Sequence, residues 1–150
     1  MNLADHLEPA DIHLSLMGTT RAAVLSELAD LLGLGAENGL AIRRMLSHRE
    51  ESGSTGIGRG VAVPHCRTPL VKRLRVLYGR RLGGVDWGAI DGAPVEHFFL
   101  LVAPPMEGSN EYLPVLGRIA RLAKEPDVPA RLSAAASAAD LRRLLEERGG

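Results

Sequence analysis

Residues 95–103 read VEHFFLLVA, and apart from Glu96 and His97 every position is apolar. A strand with one wet face alternates apolar and polar residues. This one does not, so it reads as a central strand buried on both sides. The flanking sequence offers helices as covers. Thr20–Leu32 carries Val24, Leu25, Leu28, Leu31 and Leu32 at helical spacing, with Gly33 placed to end the helix. Leu40–Arg49 repeats the pattern with Ile42, Met45 and Leu46. A glycine-rich stretch, ESGSTGIGRG over 51–60, then reads as a loop. VAVPHC follows as a short apolar strand that Pro64 ends. Leu74, Val76 and Tyr78 alternate with Arg73, Arg75 and Leu77, which predicts another strand, and Asp91-Gly92 marks a turn.

Beyond APPMEGSN, in YLPVLGRIARLAK, residues Leu113, Leu116, Ile119, Ala120 and Ala123 share a helical face. Pro114 fits only near the helix start, where its missing N–H costs nothing. Ser137-x-x-Asp140 is a capping-box pattern before Leu141, Leu144 and Leu145, so the chain closes on a helix. Helices, then strands joined by glycine turns, then helices predict an α/β sandwich with helices against a mixed sheet. At 150 residues, one domain over 1–150 is expected.

Composition narrows the function classes. Only five residues are aromatic, so the core is aliphatic: 24 Leu, 19 Ala, 10 Val and 5 Ile. A single cysteine, Cys66, excludes an intramolecular disulfide and an all-cysteine metal site, and fits a reducing cytoplasm. The first residues are acidic and lack an apolar core, unlike a signal peptide. The longest apolar run, Phe98 to Met106, is far below the ~18–20 residues of a membrane span. Zero net charge argues against nucleic-acid binding. Locally the balance differs: between Ser52 and Val85 lie seven bases (Arg59, Arg67, Lys72, Arg73, Arg75, Arg80, Arg81) and no acid. That run reads either as a positive field for an anionic ligand or acidic partner, or as a solvated strand face.

The motifs point the same way. Gly56, Gly58 and Gly60 do not fit G-x-G-x-x-G, and a strand rather than a helix follows them, so no dinucleotide fingerprint is present. The loop is a tight turn entering a strand, or a nest of backbone N–H groups for a phosphoryl group. His65 and Cys66 are neighbours in a strand and point to opposite faces, against a thiol–imidazole dyad. The five histidines show no metal-ligand spacing with carboxylates, and His97 reads as a packed or hydrogen-bonded core residue. His65, behind Pro64 and the glycine loop and amid bases, is the candidate for accepting a phosphoryl group. A neutral imidazole is a nucleophile near pH 7, and arginines and N–H groups neutralise transferring oxygens.

HREESGSTGIGRGVAVPH resembles the signature of the enzyme IIA domains of the fructose/mannitol class, part of the bacterial phosphoenolpyruvate-dependent phosphotransferase system. The matching residues are Arg49-Glu50, Ser54-Thr55-Gly56-Ile57-Gly58, Gly60 and Pro64-His65. VDWGAIDGAPVEHFFLLVAP is similar to the family's second block, and this block and the stand-alone length look most like the nitrogen-regulatory branch. The resemblance implies a three-layer α/β sandwich, a mixed β-sheet flanked by helices. It implies that His65 is phosphorylated and that Arg49 stabilises the phosphoryl group, with Thr55 and Tyr112 in support. It implies no metal or organic cofactor. The implied partners are a histidine-phosphorylated HPr-like donor, and an enzyme IIB acceptor or regulatory protein targets. One departure stands out. Where the family has a second histidine followed by leucine, this chain has Tyr112-Leu113, and Pro114 in the same turn also departs. The expectation is that Tyr112 lies close to His65 and takes that histidine's place, its hydroxyl bonding to the imidazole or the phosphoryl oxygen. A phenol can donate a hydrogen bond but does not change charge near neutral pH.

Overall fold

The computed structural model describes residues 2–105 and 111–150; Met106, which ends the longest apolar run, and residues 107–110 of the segment after it lie outside the description. The strand expected at 95–103 forms over Val95–Ala103 (β6) and is central in a six-stranded mixed sheet. On one side it pairs antiparallel with Arg75–Val85 (β5), which pairs in turn with the parallel two-residue strand Ile12–His13 (β1). On the other side two short parallel strands, Val61–Ala62 (β3) and His65–Arg67 (β4), share the edge of β6, and Gly56–Gly58 (β2) pairs antiparallel with β3.

Both faces of β6 are covered. Phe98, Leu100 and Val102 join a core with Val24, Leu28, Ile42 and Leu46 from helices Arg21–Leu31 (α1) and Ala36–Glu51 (α2). Phe99, Leu101 and Ala103 join a second core, with residues of Tyr112–Lys124 (α3), Val128–Ala134 (α4) and Ala138–Arg148 (α5). The layers are helix, sheet, helix. Alternation holds from Phe98 to Ala103 but shifts phase at the start of the strand. The Gly60 carbonyl accepts from the N–H groups of both Glu96 and His97 at 2.9 Å. Two residues therefore oppose one, a bulge, which puts Val95 in the same core as Phe98.

Several local expectations are met. The helix expected from Thr20 forms as α1, with Thr20 accepting from Ala23 N–H, and of the capping box expected at 137–140 the Ser137 half forms, its side chain accepting from Asp140 N–H at 3.1 Å. Others need correction. Helix α2 starts at Ala36 rather than Leu40, because Gly35 supplies the φ of +93° at its entry and Gly39 is tolerated within it. The glycine stretch is partly a hairpin: Arg59 and Gly60 both have positive φ, 58° and 77°, as a two-residue primed turn between β2 and β3 requires. Pro64 interrupts the edge strand rather than ending it, since its carbonyl still accepts from Leu101 N–H at 3.0 Å and pairing resumes at His65. The inward face of α3 is Tyr112, Val115, Ile119, Leu122 and Ala123, while Leu113 is 67% exposed. The helix carries two apolar stripes, and the one with the larger side chains turned in. Helix α4, β1 and the 3₁₀ turns at Leu3–His6 and Pro9–Asp11 carried no periodic signal long enough to read. No helix among the described residues is long and apolar enough to cross a membrane.

His97 is a core residue, only 1% exposed. Ser133 Oγ donates to the Pro129 carbonyl at 3.1 Å, so at 3.2 Å it accepts from His97 Nε2–H. That leaves Nδ1 to accept from the Tyr78 hydroxyl at 2.7 Å. Burial pushes the His97 imidazole down to about 4, with Glu96 and Arg80 acting in opposite senses to each other. The folded state thus holds His97 neutral where the unfolded chain would protonate it. This stabilisation is full above pH ~6.5 and lost as pH falls toward 4, about 3 kcal/mol across the window. Urea unfolding of wild type and His97→Gln at pH 7 and pH 4.5 should show a steeper loss in wild type. Parallel pH slopes would remove His97 as the cause.

Candidate active site

The site forms where the end of α2 meets the short edge strand β4. Strand alternation sends Cys66 into the core beneath α1 and α2, where burial pushes its thiol up to about 11. His65 and Arg67 therefore face the opposite side, and the thiol cannot activate the imidazole. The His65 ring is fixed at both nitrogens. Nδ1 lies 2.8 Å from the Val63 carbonyl, which can only accept, so Nδ1 carries the proton. Arg49, in the last turn of α2, donates its Nε–H to His65 Nε2 at 3.3 Å, and its Nη1 donates to the Gly53 carbonyl at 2.6 Å. The neutral ring thus turns the Nε2 lone pair toward a guanidinium.

Successive helix residues point about 100° apart, and Glu50 diverges from Arg49 accordingly. Arg49 reaches outward to His65, while Glu50 is 2% exposed. Its carboxylate accepts from Thr55 N–H at 2.9 Å and from the Thr55 hydroxyl. Thr55 O in turn accepts from Val63 N–H at 3.0 Å, the residue whose carbonyl holds His65. Thr55 is thereby placed as a strut between the helix end and Val63, the residue after β3. The glycine hairpin holds an internal anion: Arg59 N–H donates to Asp91 at 3.0 Å. This bond, followed by one from Ala93 N–H, holds the Asp91 carboxyl below its ordinary range.

Tyr112, the first residue of α3, is placed against His65 with ring centroids 5.9 Å apart and planes tilted by 58°. The Arg67 guanidinium carbon sits 4.3 Å from the centre of the Tyr112 ring, and Arg67 Nη1 donates to the Pro104 carbonyl at 3.2 Å. Arg49, His65, Tyr112 and Arg67 form one group. The rest of the basic run scatters. Arg80 is buried and donates to the carbonyls of Leu14, Leu132, Ser133 and Ala135, fixing the end of α4. Arg75 donates to Leu32 O and Arg81 to Leu16 O. In the sequence Glu50 stands out only as a matched residue of the motif and Arg67 only as one of the basic run, neither with a role at His65. The signal for Arg67 is strand alternation, since two residues along β4 return to the face of His65. For Glu50 the signal is its place in the matched motif, which does not say that it faces inward.

Because Glu50 and Thr55 satisfy each other in a buried place, Thr55→Val should leave the carboxylate with one partner fewer. We expect a loss of about 1.5–3 kcal/mol in urea unfolding. A change below about 0.5 kcal/mol, the range of an ordinary surface substitution, would show that the strut is dispensable.

Comparison with known proteins agrees with the fold and the motif. The family described as phosphoenolpyruvate-dependent sugar phosphotransferase system, EIIA 2, matches residues 5–148. A nitrogen regulatory protein of Bradyrhizobium diazoefficiens is 34% identical over 139 residues, covering 92% of this chain and 90% of that one. The crystal structure of nitrogen regulatory protein IIA-Ntr from Neisseria meningitidis superposes with a TM-score of 0.87 at 29% identity, covering 95% of this chain and 98% of that chain. The enzyme IIA of mannitol from Escherichia coli, in complex with phosphorylated enzyme IIB, shares the fold with a TM-score of 0.78 at 21% identity, over 95% of this chain and 98% of that one. The chain belongs to the EIIA 2 family of the phosphoenolpyruvate-dependent sugar phosphotransferase system, close to its nitrogen-regulatory members.

Proposed function

We propose that the chain is a phosphocarrier that takes a phosphoryl group on His65 Nε2. The observation that carries this reading is the fixed ring: Nδ1–H on the Val63 carbonyl and Nε2 facing Arg49. The donor is an HPr-like phosphohistidine protein. His65 Nε2 attacks phosphorus in line; the new N–P bond forms as the donor's N–P bond breaks, and the donor imidazole leaves with its electron pair. No proton needs to change hands. Arg49 turns from the Nε2 lone pair to the equatorial oxygens, where a planar guanidinium neutralises the charge of the transferring group. Thr55 acts at one remove, through Glu50 and Val63, by holding the parts that orient His65.

The phosphoryl group then passes to an enzyme IIB protein, or its presence on His65 selects a regulatory partner. The likeness to nitrogen regulatory proteins favours the second use. The complex of mannitol enzyme IIA with phosphorylated enzyme IIB supports the first only through a shared fold. Rapid discharge of labelled protein to a cognate IIB would establish the carrier role, and a stable label in its presence the regulatory one.

Incubation with phosphoenolpyruvate, enzyme I and HPr, followed by intact mass measurement at alkaline pH, should add one phosphate to wild type. His65→Ala should fold and take none; a phosphate on that variant would move the site elsewhere. Arg49→Lys keeps the charge but loses the fork. It should slow phosphorylation about tenfold or more, ~1.4 kcal/mol in the barrier, with little change in melting temperature. Wild-type rates in the lysine variant would reduce Arg49 to a favourable charge at a helix end.

A further inference from the structure

We infer that Arg67 is a second phosphoryl-binding guanidinium of this site, held in waiting on the face of the Tyr112 ring; this rests on the phosphorylation of His65 proposed above. Three observations carry it. First, His65 and Arg67 are two residues apart in β4 and project to the same face, so any group bound to His65 is on Arg67's side of the sheet. Second, the contacts of Arg67 are neutral. It lies over an aromatic ring at 4.3 Å and donates one N–H to the Pro104 carbonyl. Among the described residues no carboxylate bridges to it, in contrast to Arg131, Arg142, Arg143 and Arg148. A guanidinium has five N–H donors, so most of its donor capacity is left for an arriving anion. Third, the ring that holds Arg67 is the ring that packs on His65, with centroids 5.9 Å apart. Tyr112 thereby connects the two.

Tyr112 acts through its ring in this arrangement. A cation over an aromatic face is worth about 0.5–1 kcal/mol when exposed. That restricts the guanidinium to one place without binding it as tightly as an ion pair would. Arg67 is a phosphoryl ligand and Tyr112 its positioning residue. Arg49 and Arg67 then approach the phosphoryl oxygens from different sides, one from α2 and the other from β4.

Phosphoramidate serves as the donor in the test, because a small molecule removes any effect of Arg67 on protein docking. Ammonia leaves as the P–N bond breaks and the His65 Nε2–P bond forms. Arg67→Gln should take phosphate about tenfold more slowly than wild type with an unchanged melting temperature. Arg67→Lys should fall between them. Tyr112→Phe keeps the ring face and should be faster than Tyr112→Leu. Tyr112→Leu should slow to the level of Arg67→Gln, and the double variant Arg67→Gln/Tyr112→Leu should be no slower than either. The Arg67 Nε–H resonance should shift when wild type is phosphorylated, which a merely structural residue would not show. If wild type is phosphorylated and Arg67→Gln matches its rate, or the resonance does not move, the role of Arg67 is overturned and the phosphocarrier reading stands. If wild type takes no phosphate from phosphoramidate or from enzyme I and HPr, both readings fall.

Discussion

A strand as apolar as Val95–Ala103 cannot be left half in water, and the other elements are arranged around that requirement. Phe98, Leu100 and Val102 need one apolar layer, and Phe99, Leu101 and Ala103 need another. Each large side chain so buried contributes about 1.5–3 kcal/mol, and the net stability of a domain is only about 5–15 kcal/mol. Neither layer can be given up. Helices α1 and α2 cover one face, and α3, α4 and α5 the other. The short strand β4 is then the natural place for function, because it pairs with β6 on one side only and is open on the other, whereas β3 beside it is covered by β2. The site is anchored to the central strand without being buried by it.

Pro64 is where backbone chemistry becomes active-site chemistry. Proline has no N–H, so it suits an edge, and its carbonyl still holds Leu101. The break falls between Ala62 and His65, which leaves the Val63 carbonyl outside both strands. It is this carbonyl that takes the His65 Nδ1 proton. The tautomer therefore follows from an interrupted strand. On the helix side, Glu50 faces in to brace Thr55 while Arg49 faces out to Nε2. One turn of helix both secures the loop and presents the guanidinium.

The parts of this design that were legible in the sequence are the local ones. Ser137 announces a helix start because capping acts over three residues, the spacing of Val24, Leu25 and Leu28 announces α1, and VEHFFLLVA announces a central strand because its lack of alternation is visible in nine. His65 stood out by its neighbours Pro64 and the glycine turn. What was illegible depends on distant partners. Arg80 looks like one more base in a basic run, yet its carbonyl partners Leu132, Ser133 and Ala135 lie more than fifty residues away, at the end of a short helix that has no periodic signal. The phase shift of β6 has the same origin: Gly60 creates the bulge from the turn between β2 and β3, some 36 residues away in the chain. The choice between the two stripes of α3 was decided by packing, and local spacing favoured the wrong one.

The charge of the site follows from the same geometry. A chain of zero net charge cannot attract an anion as a whole, so attraction has to come from placement. In α5, Arg142, Arg143 and Arg148 are matched with carboxylates, and their fields are largely cancelled at short range. Around His65 the matching groups are neutral: an imidazole nitrogen and a carbonyl for Arg49, a ring and a carbonyl for Arg67. A guanidinium leaving such partners gives up far less than one leaving a carboxylate, while the gain on meeting a doubly charged phosphoryl group is the same. Parking cations on neutral groups therefore keeps them oriented and still available. It also gives a use to the phenol ring at Tyr112, where the resemblance to the family implies a histidine. A ring that holds a permanent cation beside His65 supplies positive charge at every pH, whereas an imidazole supplies it only when protonated.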